Sequence, residues 1–129
     1  MDFISSNTML LAQRSMDYLW QKQSVIADNV ANAETPGYKT KYVTFEQELR
    51  SRIEAASKQP GTAKGSAVRD SILQSGIVTR EANETTRLDE NGVNVTEQNV
   101  ELSRAYLQYQ LTTRAFSEEI SRLRAAIRG

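Results

Sequence analysis

Residues 94–129 read NVTEQNVELSRAYLQYQLTTRAFSEEISRLRAAIRG, a stretch with no proline and no glycine before its last position. Uncharged, mostly apolar side chains recur in it at alternating spacings of three and four residues: Asn99, Leu102, Tyr106, Tyr109, Thr113, Phe116, Ile120, Leu123 and Ile127. This heptad pattern places one narrow stripe on a helix, along which the helix packs against other helices. The stretch therefore predicts a long C-terminal helix with an assembly seam.

The two ends of this predicted helix carry the expected signals. Asn91-Gly92 is typical of a turn, and Asn94 with Glu97 three positions later has the spacing of a helix cap. Arginines near the end, up to Arg128, suit the negative pole of the helix dipole. We expect the helix to run from near Asn94 to about Arg128.

The N-terminal segment has the same alternation. Its stripe consists of Met9, Ala12, Met16, Leu19, Gln23, Ile26, Val30 and Ala33. Because no proline or glycine interrupts the segment, it predicts a helix from about Ile4 to Asn32, roughly 40 Å long. The fold class predicted is mainly α, with the two terminal helices packing as a coiled-coil-like pair.

Two interpretations of these stripes remain open. A heptad stripe is the inside of a two-helix hairpin, or it is a surface that binds partner helices. Apolar residues beside each stripe favour a second neighbour for each helix: Leu10, Tyr18, Trp20, Val25, Leu107 and Leu111. Polar Gln23, Asn99 and Thr113 within the stripes are of the kind that sets register and partner choice.

The middle of the chain separates the axial helices, so that one domain divides into segments 1–33, 34–93 and 94–129. We expect 34–93 to be turn-rich and partly flexible. Thr44 and Gln47 resemble a capping box and predict a short helix over 44–57, followed by a loop over 58–65. Ile72-Leu73 and Ile77-Val78, around Ser75-Gly76, predict a small strand pair.

Composition excludes several functions. The 129 residues carry 16 basic and 16 acidic side chains and neither histidine nor cysteine, which leaves no basic footprint for nucleic acid, no thiolate and no histidine base. The carboxylate pairs Asp89-Glu90 and Glu118-Glu119 are adjacent in sequence and so do not face each other. The sequence therefore predicts no enzyme, no cofactor and no metal site. It also shows no apolar run long enough for membrane insertion and no cleavable signal at its N-terminus.

The first predicted helix ends in a motif, NVANAETPGYK over 29–39, that resembles the shared signature of the bacterial flagellar axial proteins. The signature positions are Asn29, Ala31, Asn32, Thr35, Pro36, Gly37 and Tyr38. Physically, Pro36 stops a helix, Gly37 permits a turn, and Asn29 and Asn32 can bond to backbone groups that the helix end exposes. The short chain and the C-terminal run 94–127 are most similar to the small subunits of the basal-body rod.

The resemblance implies a structural subunit of the proximal rod, which polymerises through its terminal helices into a drive shaft. It implies as partners other rod subunits, the adaptor between membrane ring and rod, and the flagellar type III export apparatus. It also implies a periplasmic place in the basal body, reached without a cleavable signal peptide. A soluble coiled-coil adaptor or export-linked regulator, acting as a discrete oligomer, is the alternative that the heptad stripes leave open.

Overall fold

The structure is a computed structural model that describes residues 3–58, 61, 63–82 and 92–129. Its elements are the helices α1 (Phe3–Ala31), α2 (Glu46–Ser57), α3 (Ala63–Gln74) and α4 (Val95–Arg128) and the strands β1 (Lys41–Thr44) and β2 (Val78–Glu81). The predicted fold class is confirmed: two long terminal helices pack together, and the middle holds short helices and a small antiparallel strand pair.

Helices α1 and α4 run antiparallel. Asn29, near the end of α1, contacts Gln98 near the start of α4, whereas Met16, half-way along α1, contacts Thr113. The start of α4 has the predicted cap, since the Glu97 amide donates to the Asn94 side-chain oxygen at 3.3 Å. The pair is the longest feature of the molecule and organises the rest.

The middle of the chain covers one side of α1. Strands β1 and β2 form a two-stranded antiparallel ribbon in which Lys41 pairs with Glu81 and Thr44 with Val78. Helices α2 and α3 pack against each other, and α3 also packs against α1. The main core cluster lies between these elements and consists of Tyr18, Leu19, Val25, Val43, Phe45, Leu49, Ile72 and Ala105.

The predicted strand pair around Ser75-Gly76 is wrong. Ile72 and Leu73 belong to α3, and Val78 pairs with β1 from across the chain. The loop predicted over 58–65 is also wrong from Ala63 onwards, where α3 begins. Helix α3 is stabilised by tertiary packing, because Ile72 is 1% exposed in the core, and such packing stabilises helices whose own sequence is a weak helix former.

The short helix predicted over 44–57 exists as α2, but Thr44 is not its cap. Thr44 lies in β1, and its hydroxyl contacts the Val78 carbonyl and the Arg80 side chain of β2 instead. The first bond into α2 comes from the Leu49 amide to the Phe45 carbonyl at 2.9 Å. The predicted turn residue Asn91 and the pair Asp89-Glu90 lie outside the described residues.

Candidate assembly interface

Asn29 holds together the end of the helix pair where α1 stops and α4 starts. Its side chain is fully buried, and its amide nitrogen donates to the Lys41 carbonyl at 2.7 Å and to the Gln98 side-chain oxygen at 2.8 Å. Its oxygen accepts from the Lys41 amide at 2.9 Å and from the Tyr38 hydroxyl at 3.1 Å. All four hydrogen-bonding positions of the amide are therefore used.

The pairing with Lys41 has a specific geometry. One side-chain amide bonds both the N–H and the C=O of a single residue on the outer edge of β1, much as a residue of a neighbouring strand would. At Lys41 the edge of the ribbon that faces α1 is thus satisfied without a further strand. Asn29 thereby couples α1, the signature turn, β1 and α4 at one point.

The rest of the signature forms the turn that ends α1. The Asn32 side-chain nitrogen donates back to the Asp28 carbonyl at 2.8 Å, and the Thr35 hydroxyl donates to the Asn32 side-chain oxygen at 3.2 Å. Gly37 has φ of +72°, a left-handed conformation that glycine adopts without steric cost. Helix α1 ends at Ala31, five residues before Pro36, so the asparagine-based turn ends the helix and the proline only prevents its continuation.

Tyr38 is placed to keep its hydroxyl proton. Partial burial raises the pKa of the Tyr38 phenol above its ordinary value, and the negative charges of Asp28 and Glu81 raise it further by smaller amounts. The phenol is therefore neutral at physiological pH and donates its proton to the Asn29 oxygen. The Lys41 ammonium lies 5.8 Å from the centre of the Tyr38 ring, a cation–π contact.

Further contacts tie the start of α4 to the same end. The Thr40 hydroxyl donates to the Gly92 carbonyl at 2.6 Å, and Val93 is fully buried. Nearly two turns into α4, the Glu101 carboxylate lies 3.1 Å from the Lys22 ammonium of α1. The motif points to the asparagine but not to its partner Gln98, because Gln98 lies next to the predicted stripe and not on it.

The structure places the predicted seam residues at different depths. Leu19 and Ile26 are buried, and Met9, Met16, Val30, Leu102, Tyr109, Phe116, Ile120 and Leu123 are half-buried, whereas Tyr106 and Ile127 are exposed. In α4 the buried residue is Ala105, beside the predicted Tyr106. Within the chain the contact line of α4 therefore keeps the half-buried seam residues but passes through Ala105 instead of Tyr106, and the exposed part of the predicted seam faces outward.

Several large apolar side chains of the helix pair are left uncovered. Trp20 is 68% exposed and touches Tyr109 at a ring-centre distance of 6.4 Å; Leu111 is likewise 68% exposed. Tyr18 and Val25, also beside the stripe, are buried by the middle segment. The middle segment is therefore one part of the second neighbour predicted for α1. The side chain of Trp20 stays largely exposed, because no described residue beyond Tyr109 is shown to pack on its ring.

Neither a metal centre nor a membrane span is found in the described part of the chain. No three acidic, histidine or cysteine side chains there lie close enough together to bind a metal ion. None of the helices described combines the length and the apolar character needed to cross a bilayer. In the described part of the chain, the most exposed large apolar side chains lie on the helix pair.

Comparison with known proteins supports the resemblance. A family model described as "Flagella basal body rod protein" matches residues 9–39, from within α1 to just past the signature turn. The flagellar basal body rod protein FlgB of Borrelia hermsii is 56% identical over 43 residues, which are 33% of this chain and 32% of that protein. The same protein of Borreliella burgdorferi is 47% identical over 38 residues, 30% of this chain and 28% of that protein.

A more distant relative extends the similarity. FlgB of Escherichia coli K12 is 25% identical over 115 residues, covering 84% of this chain and 83% of that protein. The matches to the first two relatives span only about a third of their length. The chain is thus similar to the flagellar basal body rod proteins, closely over the end of α1 and its signature turn and more distantly over most of its length.

Proposed function

We propose that the chain is a structural subunit of the proximal rod of the flagellar basal body, which assembles through its terminal helices into the shaft that transmits torque. The observation that carries the proposal is the antiparallel α1–α4 pair, locked at its signature end and still exposing large apolar side chains. Leu107 is 58%, Leu111 68% and Ile127 82% exposed. Exposed apolar surface of this kind is typical of an interaction site.

The proposal includes the partners that such a subunit needs. Its axial helices, 1–33 and 94–129, contact other rod subunits, and subunits at the base also meet the adaptor that joins the rod to the membrane ring. The flagellar type III apparatus exports the chain to the periplasmic space without a cleavable signal peptide. The names of the matched relatives, all basal body rod proteins, support this assignment.

A structural and not a catalytic role fits the charged groups of α4. Glu118 lies 3.3 Å from the Arg114 guanidinium, and Glu119 lies 3.1 Å from that of Arg122. Each carboxylate is thus paired with an arginine of its own helix, as on an ordinary solvated helix face. Such pairs contribute little stability, about 0.3–0.5 kcal/mol each.

The test is electron microscopy of basal bodies from a strain that lacks the gene, combined with a swimming assay. We expect membrane rings without a rod, no hook and no swimming. The unaltered gene should restore the rod, the hook and swimming. Intact hook–basal bodies in swimming cells would reject the rod assignment and favour the discrete coiled-coil adaptor.

A point variant tests the role of the helix seam. Ile120→Asp places a charge on the half-buried seam of α4, and we expect it to abolish swimming while the protein is still made and exported. Because rod subunits must all be in register, higher expression should not restore swimming. Normal swimming of this variant would contradict assembly through the seam.

A further inference from the structure

The helix pair carries an exposed aromatic patch on the side away from the middle segment. We call it the aromatic face and define it by Met16, Trp20, Tyr106, Tyr109 and Thr113. Trp20 packs on Tyr109, and the Thr113 hydroxyl lies 3.5 Å from the Met16 sulfur. Trp20 and Tyr106 remain 68% and 53% exposed.

The aromatic face has no charged residue. The helix positions that lie along this face are all uncharged, although a quarter of the residues in the chain are charged. They are positions 99, 102, 106, 109, 110, 113 and 117 of α4 and positions 13, 16, 20, 23, 24 and 27 of α1. The acidic and basic residues of α4 between Glu97 and Glu119 fall on the remaining circumference of the helix. Depletion of charge together with tryptophan, tyrosine and methionine is the composition of the centre of a protein–protein interface.

A second uncharged surface lies on the other side of α4. It is a groove of about 330 Å³ between α1, α2 and α4, and its lining includes Ser15, Tyr18, Phe45, Leu49, Gln108 and Leu111. Leu111 follows Tyr106 by five residues, which is a rotation of about 140° around the helix. The groove and the aromatic face therefore point in different directions from the same helix.

We propose that the aromatic face of one copy, with Trp20 foremost, binds in this groove of a second copy. The two surfaces match in charge, because none of the described residues that form the face or line the groove carries a charge that would be buried without a partner. They also match in form, since Trp20 projects from the face and the groove is open and apolar. The proposal rests on the proposed function in that it assumes contacts between copies of this chain.

The contact has a consequence for assembly. Two different surfaces of one chain make a heterologous contact, in which every added copy presents a fresh groove and a fresh aromatic face. Such a contact continues into a ring or a helix. If the aromatic face of one copy instead bound the aromatic face of another, both faces would be used and assembly would stop at a dimer.

Disulfide cross-linking tests this, since the chain has no cysteine of its own. The double variant Trp20→Cys with Leu111→Cys is purified and also expressed in cells that lack the native gene, and both preparations are oxidised. We expect a ladder of dimers, trimers and larger multimers. Each single variant alone should give no dimer, and a mixture of the two single variants should give dimers only.

A matched control places the second cysteine on the exposed Asp70 of α3, away from the groove. Trp20→Cys with Asp70→Cys should give no ladder. A second pair, Tyr106→Cys with Leu111→Cys, leaves Trp20 in place and should reproduce the ladder, because Tyr106 belongs to the same face. Both Tyr106 and Leu111 are exposed, so neither substitution removes a core contact.

Four results would overturn the proposal. Dimers of the single variant Trp20→Cys would indicate that two aromatic faces meet, and cross-links from position 20 only to a protein of another mass would indicate a different partner. No cross-link in either preparation would reject the contact outright. Cells that swim with the double variant but give no ladder would reject this contact alone, whereas swimming of cells without the gene would reject the rod itself.

Discussion

The two ends of the α1–α4 pair differ in what covers them. At the signature end, Asn29, Val93 and Ala105 are fully buried, and Asn29 joins four segments through four hydrogen bonds. At the opposite end, no described residue of α4 after Ala105 is buried, and Ile127 is 82% exposed. The helix pair is thus well packed within the chain at the signature end, which we call the closed end. It is largely exposed at the other end, over 118–128 of α4, which we call the open end.

The difference shows how one subunit can combine a defined shape with a capacity to assemble. Directional hydrogen bonds at the signature end fix the turn, the ribbon and the angle at which α4 leaves. In the proposed rod, burial of apolar surface at the open end would be left to neighbouring copies, where each fully buried large side chain contributes about 1.5–3 kcal/mol. Variants at the closed end should therefore change the stability of the free chain, and variants at the open end should change assembly.

The largest loss of stability is expected in the main core cluster, where the middle segment packs against α1. Phe45 is 2% exposed and stacks on Tyr18 at 5.4 Å. Phe45→Ala should lower the free energy of unfolding by about 3–5 kcal/mol, measured by urea unfolding of the purified chain. The control Tyr42→Ala, at an exposed position of β1 three residues earlier, should change it by well under half as much. A loss below about 1 kcal/mol for Phe45→Ala would contradict the core as described.

The second largest loss is expected at Asn29 itself. Asn29→Ala leaves the Lys41 amide and carbonyl and the Gln98 side chain without their partner, which should cost about 2–4 kcal/mol in unfolding free energy. Asn32→Ala removes the bond to the Asp28 carbonyl, which is exposed to water, and should cost about 1 kcal/mol or less. Equal losses for the two variants would mean that Asn29 does not hold the closed end together.

A smaller loss is expected in the signature turn. Gly37 has φ of +72°, and a Cβ added there meets no atom within 4 Å, so Gly37→Ala tests the backbone conformation alone. It should cost about 1–2 kcal/mol. Gly76→Ala is the matched control: a Cβ also meets nothing there, and Gly76 is not among the left-handed glycines. The control should be neutral or slightly stabilising, and identical effects would contradict the left-handed turn.

The smallest loss of stability is expected at the open end, together with a large loss of function. Ile127→Asp should change the unfolding free energy by less than about 0.5 kcal/mol, since the side chain is already exposed, yet it should reduce swimming strongly. Thr96→Asp, at an exposed position in the first turn of α4, is the control and should leave swimming unchanged. Normal swimming with Ile127→Asp would mean that this end needs no partner.

The elements that the sequence predicts correctly are those that depend on local pattern. The heptad spacing predicted α1 and α4, and Asn94 with Glu97 predicted the start of α4, because caps and helical periodicity are encoded within a few residues. The β1–β2 ribbon and α3 were missed or misassigned because contacts between distant segments decide them: β2 pairs with a strand more than thirty residues earlier.

The candidate site was predictable only in part for the same reason. Asn29 stood out through its motif, but its bonds to Lys41 and Gln98 exist only once the helices have paired. On α4, Tyr106 has the expected spacing for the seam, but Ala105 faces the core. Neighbouring residues of a helix lie about 100° apart, and periodicity alone does not fix which flank of a stripe faces the core.

Hydrogen–deuterium exchange of the purified full chain tests the central difference most directly. If the signature end is closed and the far end awaits partners, amides near Ala105 should exchange at least about 100-fold more slowly than those over 118–128, a difference of about 2.7 kcal/mol in local opening. Assembly into rods should then slow the exchange of 118–128. Uniformly slow exchange along the whole of α4 in the free chain would contradict the division into a closed and an open end.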